Sequence, residues 1–295
     1  MLNGIINILK PPGMSSHDVV SFVRRTLGIK KVGHAGTLDP DAVGVLPVFV
    51  GNATRLIEYT ADADKAYRVR MQFGIKTDTG DDSGKKIASS DIRQITADEL
   101  CVALKSFEGC QRQVPPMYSA LKLNGQKLYQ LARKGIEVER ESREIHIHSL
   151  RLLNSYENGL LLDVNCSKGT YIRTLVEDLA EHLGMVGTMS FLLRTRVGAF
   201  TVESACTLEE LTEHKEKLLL PVDIAIAHLP TVKATPNQAR RFVQGVTTTF
   251  RGQLDALEQD ATVIVVSETL ELLGMGIVRG EQIKPRKVFA SSQNN

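Results

Sequence analysis

Along this chain the spacing of apolar positions changes from segment to segment. Lys65 to Phe73, KAYRVRMQF, alternates apolar and polar residues, the two-residue period of a half-buried strand. Arg143–Leu153 and Leu160–Cys166 alternate in the same way around the turn Glu157-Asn158-Gly159, which predicts a strand pair. Between Ser15 and Leu27 the period is helical, with Val19, Val20, Phe22, Val23 and Leu27 on one face. Ser15 and Asp18 form a capping-box pattern at its start, and Gly28 is placed to stop it. Further helices are predicted over Ala97–Phe107, Leu128–Lys134 and Tyr171–Leu183, the last stopped by Gly184. GIINILKPPG reads as a short strand ending in a proline turn, and LPVFVGNATRLIEY as a buried segment leading into a helix. GIKTDTGDDSGKKI reads as a polar loop, and its aspartates miss the ligand positions of a calcium loop. Two further short elements run to about Leu229. Composition shifts near Pro230, where a linker, a short helix and two strands (about Thr262–Ser267 and Leu272–Val278) predict a second unit, 230–295, after a first of 1–229.

Composition narrows the class. The chain has 295 residues, 42% hydrophobic and 24% charged, with mean hydropathy −0.09. It has no apolar run long enough for a membrane helix and no basic leader segment, so a cytoplasmic protein is expected. Cys101, Cys110, Cys166 and Cys206 form no C-x-x-C and match no zinc spacing, so reduced, mostly buried thiols are expected. His146 and His148 share a strand face without a third ligand in view, so no metal is expected. Net charge is +2, which neither demands nor excludes a nucleic-acid partner. Locally, 111–143 holds seven Lys or Arg against three Glu, with Tyr118 and Tyr129 interleaved. Such a strip, with Lys122 and Arg133 among its cations, reads either as a phosphate-tracking surface or as a solvated face.

Candidate chemistry concentrates in GHAGTLDPDAVGVLPV, Gly33–Val48. Three glycines and two prolines in sixteen residues describe a shaped turn. Asp39, just ahead of Pro40, reads either as a helix N-cap or as a presented carboxylate. The second reading needs a cation that keeps Asp39 ionised, and Arg173 in GTYIRT is the candidate. Tyr67 reads either as a sheet tyrosine or as a flat ring for a flipped base. His34 is either an ordinary turn histidine or a wedge into a nucleic-acid loop.

Five stretches in order resemble the bacterial tRNA pseudouridine-55 synthase family known as TruB. They are KPPGMSSHDVV (Lys10–Val20), GHAGTLDPDAVGVLPV, KAYRVRMQFGIKTDTGDDSG (Lys65–Gly84), VPPMYSALKLNGQKLYQLARKG (Val114–Gly135) and CSKGTYIRTL (Cys166–Leu175). The resemblance implies an α+β fold: a central mixed, largely antiparallel sheet flanked by helices, then a small β-rich domain like a PUA module. It implies that Asp39 is the catalytic aspartate, Tyr67 the stacking tyrosine and Arg173 the ion-pair partner. It also implies that His34 packs into the tRNA T-loop and that Tyr171 and Leu192 wall the pocket; Lys10 of the first motif and Lys122 and Arg133 of the basic strip are further candidate RNA contacts. The chain departs from the family in having Leu192-Leu193-Arg194 where Leu-Arg-Arg is frequent. The implied activity is isomerisation of uridine to pseudouridine at position 55 of the tRNA T-stem-loop, on a flipped-out nucleotide. It would need no cofactor, metal, guide RNA or protein partner, and the enzyme is expected to be a monomer. A guide-RNA-dependent synthase shares the catalytic loop, but the Val114–Gly135 insertion favours a protein that acts alone. A tRNA-binding or tRNA-folding factor without catalysis is the remaining alternative, and Asp39, Tyr67 and Arg173 together argue against that as the sole role.

Overall fold

The computed structural model describes residues 3–123 and 125–289. A nine-stranded sheet forms the centre. Its order is Gly4–Lys10, Val43–Val50, Gly187–Val197, Lys65–Phe73, Gly159–Cys166, Arg143–Tyr156 and Gly109–Gln113, with short Val32–His34 and Phe200–Thr201 paired alongside. Neighbours run antiparallel except at one place. Val43–Val50 and Gly187–Val197 pair in parallel, through Val43 with Leu193 and Gly44 with Arg194 alone. The sheet is therefore two antiparallel halves joined by a two-residue seam.

Each half has its own core. Helix Ser16–Leu27 and helix Leu208–His214 cover the first half through Val19, Val20, Val23, Leu208 and Leu211. The helical period of Ser15–Leu27 is realised: Ser15 caps Asp18 reciprocally, and Gly28 ends the helix at φ 65°. Helices Ala97–Ser106 and Ile172–His182 cover the second half, burying Leu100, Leu104, Leu175, Val176 and Leu179 against Val69, Met71, Leu162 and Val164. The alternation of KAYRVRMQF appears as Tyr67, Val69, Met71 and Phe73 inward, with Arg68 and Arg70 on the uncovered face.

From Thr231 onward a separate five-stranded sheet forms, with helix Pro236–Val243 across it and Phe242 and Phe250 fully buried inside. It is not a loose appendage. Ile264, Val266 and Met275 join one apolar cluster with Ile5, Phe49 and Phe200 of the central sheet. Arg55 stacks on Phe289 at 5.1 Å and donates to the Val288 carbonyl at 2.5 Å.

Several expectations need correction. No helix follows Asp39: residues 37–42 form a loop closed by Ala42 N–H donating to the Asp39 carbonyl at 3.2 Å, so the N-cap reading fails. The 75–89 segment is more than a loop, since Ile75–Thr77 pairs with Lys86–Ser89. Strand Gly187–Val197 has no counterpart among the expected elements. Register shifts at Met189/Phe191 and Arg194/Arg196 break its alternation, so no two-residue period is visible in TMSFLLRTRV. All four cysteines are free, with Cys166 and Cys206 buried but Cys101 and Cys110 exposed. Among the described residues no helix is long and apolar enough to cross a membrane.

Candidate active site

The Asp39 loop lies over the seam of the central sheet. Its backbone is partly buried, with Ala35, Leu38 and Ala42 almost fully enclosed, so its polar groups need internal partners. The chain supplies them from three sides. Ser16 Oγ accepts from Leu38 N–H at 2.8 Å and donates to the Leu38 carbonyl at 3.1 Å. The Pro40 carbonyl accepts from Gly13 N–H at 3.0 Å and from Lys10 Nζ at 2.8 Å. Arg194 donates from Nη2 to the Gly36 carbonyl at 3.0 Å, from Nη1 to Thr37 at 3.3 Å and from Nε to Val45 at 2.8 Å. The turn is glycine-rich for a steric reason. At Gly44, φ is +117° and a Cβ would stand 2.2 Å from the Arg194 carbonyl oxygen.

Arg173 is the second residue of helix Ile172–His182, near a terminus where the helix dipole disfavours a cation. Carboxylates and carbonyls elsewhere hold it. Nε faces Asp39 Oδ2 at 3.2 Å and Nη1 faces Asp81 Oδ2 at 3.8 Å. Nη1 also donates to the Thr79 carbonyl and Nη2 to the Tyr118 carbonyl, both at 2.7 Å. The Arg173 side chain is 7% exposed and that of Asp39 40%. One buried cation thus ties the Asp39 loop, the 75–89 hairpin and the 111–143 stretch to a single point. Burial raises the Asp39 carboxyl above its usual range; Arg173 pulls it back and Asp81 pushes it further up.

Tyr67 and Leu192 stand beside Leu38 in the apolar cluster of the second half-sheet. Tyr67 is the register partner of Arg194 on the adjacent strand, and burial pushes its hydroxyl up to about 12, so it is a neutral phenol at physiological pH. Tyr171 precedes the Arg173 helix, and Gln113 clamps its backbone on both sides, accepting from its N–H at 2.7 Å and donating to its carbonyl at 3.0 Å. Burial raises its hydroxyl above the usual phenol range. His34 is half-buried with Nδ1 lacking a hydrogen-bond partner; burial, then Arg194, lowers its pKa and favours the neutral ring.

The remaining expected residues lie apart from this pocket. Lys10 is a correction: it is fully buried, and Nζ donates to the Pro11 and Pro40 carbonyls at 2.8 Å. It has no surface to offer an RNA and instead supports the loop from below. Burial lowers its ammonium to about 8, against the pull of Asp41 and Asp39. Lys122 and Arg133 are exposed, on a hairpin (Lys122–Leu123 with Gln126–Lys127) and just after the helix Leu128–Ala132. Lys127 and Arg133 both lie over the Tyr129 ring, at 5.6 and 5.4 Å, so the strip is clustered around an aromatic face. Leu193 pairs with Arg68, whereas Leu192 and Arg194 pair with Val69 and Tyr67. The departure at Leu193 therefore falls on the uncovered face of the sheet and leaves the pocket intact.

Two residues of the site were missed from sequence. Asp81 sits among three aspartates of a loop, and nothing in the string marks which one turns inward. Arg194 had only a weak signal, a cation after the apolar run MSFLL. Among the described residues no group of three or more His, Cys, Asp or Glu is placed to hold a metal.

The arrangement offers one carboxylate aimed by Arg173, next to an apolar cluster that holds Leu38, Leu192 and the neutral phenol of Tyr67. That suits attack on an electron-poor carbon more than activation of water. A model described as "TruB family pseudouridylate synthase (N terminal domain)" matches residues 24–172, and one for the "tRNA pseudouridylate synthase B C-terminal domain" matches 173–227. Proteins named tRNA pseudouridine synthase B are similar over most of the chain. That of Symbiobacterium thermophilum is 50% identical over 254 residues, 85% of this chain and 84% of the relative. That of Caldanaerobacter subterraneus subsp. tengcongensis is 44% identical over 291 residues, 98% of this chain and 99% of the relative. Among solved structures, a chain of a Cbf5-Nop10-Gar1 complex superposes with a TM-score of 0.79 at 27% identity, covering 97% of this chain and 85% of that one. The shared mixed sheet, β-rich C-terminal unit and family matches lead to one assignment: the chain belongs to the TruB family of pseudouridylate synthases.

Proposed function

We propose that this chain isomerises uridine to pseudouridine at position 55 in the T-loop of tRNA, with Asp39 as its catalytic carboxylate. The observation that carries this is the Arg173–Asp39 pair: a half-exposed carboxylate aimed by a buried cation, one residue along from Leu38 of the cluster that holds Tyr67 and Leu192. The reaction breaks the bond from C1′ to N1, turns the base, and forms a bond from C1′ to C5. The C5 hydrogen leaves as a proton and N1 gains one, so atoms and electrons balance without a cosubstrate. Asp39 acts as nucleophile, at C1′ or at C6. Arg173 fixes its direction, and Tyr67 lies flat against the extruded base. The apolar wall keeps water from the detached base.

Extruding the base costs a few kcal/mol, roughly, and phosphate contacts offset this. Lys122 and Arg133 on the insertion, and the PUA-like unit over 230–295 following the catalytic unit 1–229, are the surfaces for those contacts. His34 and Tyr171 would meet the T-loop itself. The structural relative in a Cbf5 complex raises a second reading, a synthase directed by a guide RNA. The relatives named for tRNA, and the 111–143 insertion, whose Tyr118 carbonyl accepts from Arg173, favour action alone, as a cytoplasmic monomer.

The test is product mapping on an unmodified tRNA transcript with purified protein and no other RNA. Pseudouridine confined to position 55 supports the proposal. A product that forms only when a guide RNA is added would favour the second reading. Tight tRNA binding without any product would leave a binding factor.

A further inference from the structure

Helices Ala97–Ser106 and Ile172–His182 pack on the Tyr67 side of the second half-sheet. The opposite side is open, and the strand register shows what stands on it. Residues paired directly across an antiparallel sheet share a face. Arg70 pairs with Phe191, and Arg68 with Asp163, which pairs in turn with Arg151. Arg196 pairs with Ala66 and donates to the Asn165 side chain at 2.7 Å, so it stands on the same face. Three strands thus bring four arginines together. Asp163 is the carboxylate among them, and Asp82 of the neighbouring hairpin is a second whose field reaches Arg70.

Internal contacts hold these side chains in place without exhausting them. Arg68 donates to Asp163 from Nε at 2.8 Å and from Nη2 at 3.0 Å, and Arg70 lies over the Tyr156 ring at 4.7 Å. A guanidinium has five N–H donors, so most of them stay free for a ligand. The face also carries bare rings: Phe191 is 42% exposed and Tyr156 39%. A surface that met only water would gain nothing from them. A protein partner would call for a contiguous apolar patch depleted of charge, whereas here arginines separate the apolar side chains. Arginine forks fit phosphate, and exposed rings stack on unpaired bases. We propose that this open face binds a single-stranded segment of RNA, with its phosphates on the arginines and its bases on Phe191 and Tyr156. Arg173 stands on a helix of the covered side and holds Asp39 there, so this segment is distinct from the loop that meets the active site.

The test is fluorescence anisotropy with an unstructured RNA of about twelve nucleotides, on the full chain alone and saturated with a T-stem-loop hairpin. All the substitutions fall on exposed side chains, so folding is kept. Arg70→Ala with Arg151→Ala is expected to weaken binding about tenfold or more and to make its salt dependence shallower by about one and a half units. Phe191→Ala should weaken binding about fivefold with the slope unchanged, because stacking releases no counterions. Lys215→Ala with Lys217→Ala removes the same charge from the turn Lys215–Leu218, and should change affinity by less than about twofold. The hairpin-filled wild type should still bind the oligonucleotide. Face variants that bind like the wild type would overturn the proposal and leave the face to solvent or to a protein. A lysine control that weakens binding as much as the arginine pair, or full displacement of the oligonucleotide by the hairpin, would overturn it too. The inference takes only the hairpin from the isomerase reading. A hairpin that does not bind would count against that reading, while the variants measured without it still decide this one.

Discussion

Asp39 carries opposing demands. The proposed reaction needs its carboxylate ionised, yet burial and Asp81 hold its proton more tightly than the ordinary value of 3.8 allows, with Arg173 opposing them. The sign for stability follows. A folded pKa above the unfolded one means that the native state binds the proton more strongly, so this contribution is lost as pH rises from about 4 through the raised value. Ionised Asp39 therefore costs stability at neutral pH. Asp39→Asn should abolish turnover, keep tRNA affinity within about tenfold because phosphate contacts dominate binding, and melt no lower than the wild type. Calorimetry and binding on the same preparation check all three. Asp81→Asn removes a nearby negative charge and so lowers the Asp39 pKa. The acid limb of the single-turnover rate should then move to lower pH, and a limb that moves up would contradict the network drawn around Arg173.

At the scale of elements, steric closeness separates glycines that look alike in the sequence. Gly44→Ala places a methyl 2.2 Å from the Arg194 carbonyl at the seam of the sheet, while Gly13, at φ +79°, has nothing within 4 Å of an added Cβ. Gly13→Ala should cost about 1–2 kcal/mol from the backbone alone. Gly44→Ala should cost clearly more, read as a larger drop in Tm, because backbone there cannot yield. The insertion makes a different prediction. Lys122→Ala or Arg133→Ala should weaken tRNA binding and make its salt dependence shallower by about one unit per lost phosphate contact. An unchanged slope would return the strip to a solvated face.

Elements with their own local signals were legible in the sequence. Ser15, Asp18 and Gly28 mark both ends of a helix, and the alternation of Lys65–Phe73 survives because that strand pairs without a bulge against Gly159–Cys166. Strand Gly187–Val197 was hidden because two register shifts destroy its period. The site divides the same way. Asp39 and Arg173 stand in distinctive motifs, and the structure brings them together. The inward turn of Asp81, the burial of Lys10 and the outward direction of Leu193 depend on how distant segments pack. No local pattern carries that information.

The whole molecule joins two half-sheets at a two-residue parallel seam, and the Asp39 loop leads directly into it. The C-terminal sheet is fused to the first half through Ile264, Val266 and Met275 against Ile5, Phe49 and Phe200. A chain ending at 229 would expose that cluster, and it should show a lowered Tm and a tendency to aggregate as well as weaker tRNA binding. A truncated protein that melts like the full chain would mean that this cluster contributes little. The central claim, that the loop exists to present Asp39 to a flipped uridine, is tested most directly by tritium release from tRNA labelled at uridine C5, with purified protein and nothing added. Release of one tritium per tRNA by the wild type, absent with Asp39→Asn and absent when the T-loop uridine is replaced, is the predicted result. Saturating tRNA binding by the wild type without release would contradict it.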